Sequence, residues 1–211
     1  LGKMILKLER EMKCPKEKEF YNIYYDKIKH TEACLLAKIY EKLKRLNEQS
    51  ETKMVEHIVS RIKTPDSASD KLKLAGYKPT GENAVHVLSD VVGVRLIAHF
   101  IGDIYTIRNV LANCGDFDII KEKDYVRNAK ASGYRGYHII IRTNIDGFEI
   151  KAEIQLRTIA MDCWASLEHQ LRYKKDVEFT AQMAEELKKC AELSAELDSR
   201  MDALREVIAN K

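Results

Sequence analysis

The sequence predicts an α/β (α+β) fold, a mixed β-sheet flanked by helices, with helical extensions at both ends of the chain. Three observations carry that reading. Residues 90–100, "DVVGVRLIAHF", form a nearly continuous apolar run, as expected of a central strand buried on both faces. Residues 137–143, "YHIIIRT", and 148–158, "FEIKAEIQLRT", flank "NIDG", whose Asp146-Gly147 pair favours a tight hairpin. Before and after this strand-rich middle, apolar residues recur at helical spacing.

In chain order, residues 16–62 read as helical, with Phe20, Ile23, Tyr24, Ile28, Leu35, Ile39, Leu43 and Leu46 as the apolar positions among Lys and Glu. "TPDSASDKLKLAG" (64–76) is a short helix: Thr64 suits the N-cap, Pro65 the first helical position and Gly76 the stop. After the 90–100 strand, "DIYTIRNVLANCG" (103–115) is an amphipathic helix and "FDIIKEKDYV" (117–126) a strand running into a charged loop. The hairpin follows, and from about 158 the chain is helical again. Ile159, Cys163, Leu167 and Leu171 are expected as the buried stripe of that helix, with Trp164 as a packing residue. In the last segment Met183, Leu187, Cys190, Leu197, Met201, Leu204 and Ile208 form a second stripe, with Ser194 filling its gap. No repeat or linker interrupts the chain, so 1–211 reads as one domain. It comprises a helical part (16–62), a core (about 55–175) and C-terminal helices (about 176–209).

The chain is 45% hydrophobic and 33% charged, which describes a globular protein rather than a disordered one. A net charge of +3 makes no bulk electrostatic case for nucleic acid, so any anion site is a local cluster, and RNA binding is not signalled. Cys14, Cys34, Cys114, Cys163 and Cys190 are scattered and odd in number, which signals neither a disulfide framework nor zinc and suits a reducing cytoplasm. No apolar run approaches the ~20 residues of a membrane span. The opening "LGKMILKLER" is too short and too charged for a signal peptide.

The strand "FEIKAEIQLRT" alternates. Phe148, Ile150, Ala152, Ile154 and Leu156 point one way; Glu149, Lys151, Glu153, Gln155 and Arg157 point the other. Most such polar faces are solvated surface. Here a two-residue turn at Asp146-Gly147 pairs Ile145 with Phe148 and therefore His138 with Gln155, so His138, Glu153, Gln155 and Arg157 share one face. Asp90 stands where the apolar strand begins. Two carboxylates on neighbouring strands, Asp90 and Glu153, are a donor set for magnesium when phosphates supply further ligands. Cations surround them in sequence: Arg61, Lys63, Lys71 and Lys73 with Ser67 on one side, Lys121, Lys123, Arg127 and Lys130 on the other. Gly133 and Gly136 bracket Tyr134, an aromatic beside Lys130 and Arg135 that suits stacking on a nucleobase.

"SRIKTPDS…KLK", "DVVGVR", "KDYVRNAKASGYRGYH", "EIQLRT" and "WASLEH…YK", in unbroken order over about 55–175, resemble the RelA/SpoT-type (p)ppGpp synthetases. The resemblance implies a nucleotidyltransferase-like mixed sheet and transfer of pyrophosphate from ATP to the 3′-hydroxyl of GDP or GTP, with Mg2+ as cofactor. It assigns Arg61 to the adenine of ATP, Lys63, Ser67 and Lys71 to the donor phosphates, and Arg95 to the ATP side. Asp90 becomes the magnesium carboxylate, and Glu153 the second acid, near metal and hydroxyl. Lys123 and Lys130 become phosphate-binding lysines, Tyr134 the guanine platform, and His138 and Gln155 the acceptor lining. Ala129, Ser132 and Gly136 depart from the residues common in that loop and leave open the preference among GDP, GTP and GMP.

No His-Asp dipeptide occurs, and the length holds no hydrolase or regulatory domain, so the expectation is a small synthetase-only member. The resemblance also carries a regulatory (p)ppGpp site and a homotetramer built on the terminal helices. Two competing readings are a synthetase acting on the tRNA 3′ end and a catalytically silent nucleotide-binding or RNA-binding regulator.

Overall fold

The computed structural model describes residues 16–48, 52–172 and 178–209. Cys14 and residues 173–175 of the last motif lie outside the described residues. Helix α1 (Tyr25–Glu48) buries Ile28, Leu35, Ile39 and Leu43, the stripe its spacing predicts. Ile23 departs from that pattern and is 73% exposed. Asn22 takes a positive φ of 48°, and the following 3-10 turn, Asn22–Tyr24, breaks the 3.6-residue repeat. Tyr21 and Tyr25 turn inward instead.

Strand β1 (Val55–Ile62) corrects the expectation that helix continues to residue 62. "VEHIVSRI" is rich in β-branched residues, and backbone pairing with the next strand decides the conformation. Helix α2 (Pro65–Leu74) follows its signals: Thr64 Oγ1 accepts from the Ser67 amide, and Gly76 closes the segment at φ 80°. The short helix α3 (Gly81–Val87), capped by Thr80, has no counterpart in the expectations above. Strand β2 (Val92–Ala98) is followed by α4 (Ile101–Ala112), then β3 (Asp118–Asp124), β4 (Tyr137–Ile145), β5 (Phe148–Thr158), α5 (Ile159–Arg172) and α6 (Ala181–Ala209).

The five strands lie in the order β1-β2-β5-β4-β3, with β2 and β5 parallel and the other neighbours antiparallel. The β4–β5 turn has Asp146 at φ 51° and Gly147 at φ 80°, the two positive values of a type I′ turn. Ile145 opposes Phe148 and His138 opposes Gln155, as the two-residue turn requires. One sheet face carries Val94, Leu96, Ile139, Ile141, Ala152, Ile154 and Leu156, packed into one core with Ile28, Leu35 and Ile39 of α1 and Ile104, Ile107 and Leu111 of α4. Each fully buried aliphatic contributes about 1.5–3 kcal/mol. The opposite face is left for polar residues.

The helices after the sheet depart from their predicted stripes. On α5 the buried residues are Met161, Trp164 and Ala165, while Ile159, Leu167 and Leu171 are at least half exposed. On α6 the buried residues are Ala191 and Asp198, and Leu193, Leu197, Met201, Leu204 and Ile208 are exposed. Three polar pins fix α6 to the core beside a small apolar cluster of Trp164, Ala165 and Ala191, which Leu187 of the predicted stripe joins. Trp164 Nε1 donates to the Leu187 carbonyl at 2.8 Å. Thr158 Oγ1 donates to Asp198 Oδ2 at 2.6 Å while accepting from the Met161 amide, so it also caps α5. Arg205 meets Asp103 at 2.7 Å, and Asp103 in turn caps α4 through the Phe100 amide. Among the described residues, no helix is long and apolar enough to cross a membrane.

Burial pushes the Asp198 carboxyl up from its ordinary value of 3.8, against the Thr158 hydrogen bond that lowers it, with Asp202 adding to the rise. A raised folded-state pKa means that ionisation costs stability at any pH above the folded value, and that the cost vanishes below the unfolded one. Asp198→Asn keeps an acceptor for Thr158 and removes the charge. It should raise the melting temperature at pH 7 by about 1–4 °C, and the advantage should disappear below about pH 4. Calorimetry at both pH values checks this, and a mutant less stable at pH 7 would show that the charge is needed.

Candidate active site

Cross-strand register builds the site. Val59, Arg95, Gln155, His138 and Lys123 pair in one row across all five strands. A second row, one pleat away, holds Arg61, Gly93, Glu153, Ile140 and Lys121. Both rows face away from the core. Gly93 has no side chain, so the space between Arg61 and Glu153 stays open; a Cβ there would lie 3.6 Å from Arg61 Cγ. The resulting cleft, about 200 Å³, is lined by Arg61, Asp90, Arg95, Glu153 and Gln155 together with Val59, Ser60 and Val94. Strand β1 matters here, since a helix over 55–62 would not set Arg61 beside Gly93.

Asp90 precedes β2 and is held by two cations, Lys63 Nζ at 2.9 Å and Lys71 Nζ at 3.0 Å. Lys63 is buried at the end of β1, where the Tyr21 hydroxyl donates to its carbonyl at 2.7 Å. Asp90 Oδ1 is buried and, despite the close Lys71 ammonium, accepts no aligned hydrogen bond. Ser67 lies in the first turn of α2 and is exposed, on the same helix that brings Lys71 to Asp90.

Glu153 is enclosed differently. His138 Nδ1 lies 2.9 Å from Oε1, and Gln155 Nε2 donates to Oε2 at 2.7 Å. Burial alone would raise its pKa. The hydrogen bond and electrostatic pull of His138, then Gln155 and the Lys71 charge, outweigh burial and hold the carboxyl down at about 2. A carboxylate only accepts, so His138 Nδ1 carries the proton between them.

His138 Nε2 meets the Tyr134 hydroxyl at 2.6 Å, and that hydroxyl accepts from Arg157 Nη2 at 3.1 Å. Lys130 Nζ lies 4.9 Å from the centroid of the Tyr134 ring and the Arg157 guanidinium 5.1 Å from it. Burial raises the Tyr134 pKa against the opposing Arg157 charge. Lys123 is exposed on β3 beside His138. The sequence-predicted residues thus fall into two connected groups. Arg61, Lys63, Ser67, Lys71 and Asp90 stand on the β1/β2 side. Lys123, Lys130, Tyr134 and His138 stand on the β3/β4 side, and Glu153, Gln155 and Arg95 lie between.

Two residues that join the halves have no assigned role in the sequence reading. Asp162 Oδ1 accepts from Arg95 Nη1 at 3.1 Å and from Arg157 Nη1 at 2.9 Å. Arg157, 6% exposed, links Asp162, Gln155 and Tyr134. Burial, then the neighbouring Arg157 charge, lowers the Arg95 pKa from its ordinary value, and Asp162 partly offsets this. Asp162 has a sequence signal, as the sole acid in the first turn of the helix that follows the polar strand.

The chain that carries this arrangement, two carboxylates at a cleft with cations on both flanks, is similar in sequence and fold to known proteins. Residues 60–178 match the model of the region found in RelA / SpoT proteins. GTP pyrophosphokinase YwaC of Bacillus subtilis is 40% identical over 158 residues, 73% of this chain and 75% of that protein. The small alarmone synthetase 2 structure from Bacillus subtilis superposes with a TM-score of 0.75 at 38% identity, over 85% of this chain and 94% of that one. The Bacillus subtilis small alarmone synthetase 1 bound to its product pppGpp shares the fold, with a TM-score of 0.76 at 24% identity over 90% of this chain and 97% of that one. A family model matched over 60–178 and a relative 40% identical over 73% of the chain lead to one conclusion: this chain belongs to the RelA/SpoT family.

Proposed function

We propose that this chain is a GTP pyrophosphokinase: it transfers the β,γ-pyrophosphate of ATP to the 3′-hydroxyl of GDP or GTP, giving ppGpp or pppGpp and AMP. The observation that carries the reading is Glu153, an ionised carboxylate fixed by His138 and Gln155, in the cleft that Asp90 also lines. The activity named for YwaC supports it.

In the reaction the 3′-oxygen attacks the β-phosphorus, the bond to the α–β bridging oxygen breaks, AMP departs with that electron pair, and the hydroxyl proton is released past Glu153 to water. Arg61 and Arg95 flank the donor, with Lys63, Lys71 and Ser67 toward its phosphates. Lys63 and Lys71 neutralise Asp90, so donor phosphates would take ammonium groups from existing ion pairs while Asp90 would be freed to hold a cation, with no bare charge exposed. Lys123 and Lys130 serve the acceptor phosphates, Tyr134 the guanine, and His138 and Gln155 the acceptor side. Asp90 and Glu153 would hold Mg2+, which supplies charge neutralisation at the transferring phosphates. The unsatisfied Asp90 Oδ1 fits that role. A carboxylate with a pKa of about 2 is a weak base at pH 7, so Glu153 orients the hydroxyl and stabilises charge more than it stores a proton.

The free cysteines among the described residues, Cys34, Cys114, Cys163 and Cys190, suit a cytoplasmic enzyme. The exposed Leu193, Leu197 and Met201 of α6, with Ile159 and Leu167 of α5, line a groove of about 730 Å³. We assign its cover to a second copy of the chain, within a homotetramer.

Glu153→Gln should lower turnover about 100-fold or more. Its depressed pKa means that the ionised form stabilises the fold above about pH 4.5, and that this support fades as pH falls toward 2. The mutant should therefore fold, with a melting temperature lower by about 5 °C or less at pH 7. Product chromatography with ATP and GDP, GTP or tRNA measures the loss and identifies the acceptor; near-normal turnover would remove Glu153 from the mechanism.

Tyr134→Ala should raise KM for the guanine nucleotide about 10-fold or more while KM for ATP stays within about threefold, as for loss of a stacking platform. Tyr134→Phe, which keeps the ring and loses the bonds to His138 and Arg157, should fall between. Equal rises for both substrates would count against a guanine contact.

Leu197→Glu should shift the light-scattering mass from tetramer toward smaller species at micromolar concentration. An unsubstituted protein that scatters as a monomer would refute the assembly.

A further inference from the structure

Helix α6 does more than extend the fold, because its inner face presses on the loop that carries Tyr134. Gly133 sits at φ 89°, and a Cβ built on it would lie 2.5 Å from Ala191 Cβ and 3.6 Å from the Lys188 Cα. No side chain fits between loop and helix. Tyr134, the next residue, packs with Leu187 against a small buried cluster of Trp164, Ala165 and Ala191. Trp164 ties the cluster to α6 through the Leu187 carbonyl. Inside the loop, the Gly133 amide donates to the Lys130 carbonyl at 2.8 Å and the Lys130 amide to the Tyr134 carbonyl at 3.1 Å. The turn that aims Lys130 and Tyr134 is therefore closed on itself and rests on α6.

We propose that Ala191, through its contact with Gly133, is a positioning residue for the acceptor guanine nucleotide: α6 acts as the backstop that fixes Tyr134 and Lys130 in their binding arrangement. The inference rests on the assignment of this loop to the guanine nucleotide. The donor side has no such contact in the geometry above, since Arg61, Lys63 and Lys71 come from β1 and α2. A larger side chain at position 191 pushes the loop and spares the donor groups. A displacement of this kind needs only about 1 Å to matter at a preorganised site.

Trp164 is the sole tryptophan of the sequence, so its emission reports on this contact without any turnover. The full chain is titrated with GTP and, separately, with a non-hydrolysable ATP analogue, following Trp164 emission for GTP and calorimetric heat for both. Ala191→Leu should weaken GTP binding about 10-fold or more, leave the ATP analogue within about twofold, and blunt the Trp164 response. Gly133→Ala should weaken GTP binding in the same selective way, and adding Ala191→Gly should recover part of that loss, because the clash goes while the strained φ remains. The double-mutant comparison keeps the test decisive if Ala191→Leu fails to fold. Equal weakening of both nucleotides, or no recovery in the double mutant, would overturn the backstop while leaving the functional reading intact. Absence of GTP binding by the unsubstituted protein would overturn both.

Discussion

The site depends on the register of the β4–β5 hairpin. The Asp146-Gly147 turn fixes two residues between the strands, and from that count every pairing back to His138 and Gln155 follows. A slip of one residue would send His138 into the apolar core face and bring Ile139 out beside Glu153. Neighbouring strands inherit the same constraint. β2 pairs in parallel with β5 and sets Arg95 beside Gln155 and Gly93 beside Glu153; β3 pairs with β4 and sets Lys123 beside His138. Five strands distant in sequence thereby deliver their polar residues to one surface.

Charge balance on that surface is the second organising feature. Its acids are few and each is claimed: Asp90 by Lys63 and Lys71, Glu153 by His138 and Gln155, Asp162 by Arg95 and Arg157. The cations outnumber them at a cleft in a chain whose net charge is only +3. Such a surface holds Glu153 ionised and leaves an excess of positive charge around it. Arg157 and Asp162 matter because they tie Arg95 and Tyr134 into one hydrogen-bonded row between the two flanks.

The helices after the sheet connect this chemistry to the outer surface. Their polar pins run from α6 to the end of β5, to α5 and to the first turn of α4. One face of α6 meets the Tyr134 loop, and the other leaves Leu193, Leu197 and Met201 uncovered. A helix held by three polar contacts and one small apolar cluster, with Leu193, Leu197, Met201, Leu204 and Ile208 outward, is incompletely buried as a single chain.

The sequence by itself determined the elements whose signals are local: the capped helix at Thr64, the hairpin at Asp146-Gly147, and the alternation that puts Glu153 and Gln155 opposite the core. It also determined the polar row as far as one hairpin reaches, because a two-residue turn fixes register without tertiary help. What only the tertiary structure decided was everything set by partners remote in the chain. Residues 55–62 are a strand because β2 pairs with them, and their short mixed pattern does not choose between helix and strand. Ile159, Leu167 and the α6 residues Leu197, Met201, Leu204 and Ile208 face outward because Thr158–Asp198, Trp164–Leu187 and Asp103–Arg205 rotate those helices, and periodicity specifies which residues share a face but not which way it turns. The Ala191–Gly133 contact and the Arg95–Asp162–Arg157 bridge were illegible for the same reason: each joins residues whose proximity exists only after the sheet has assembled and α6 has docked.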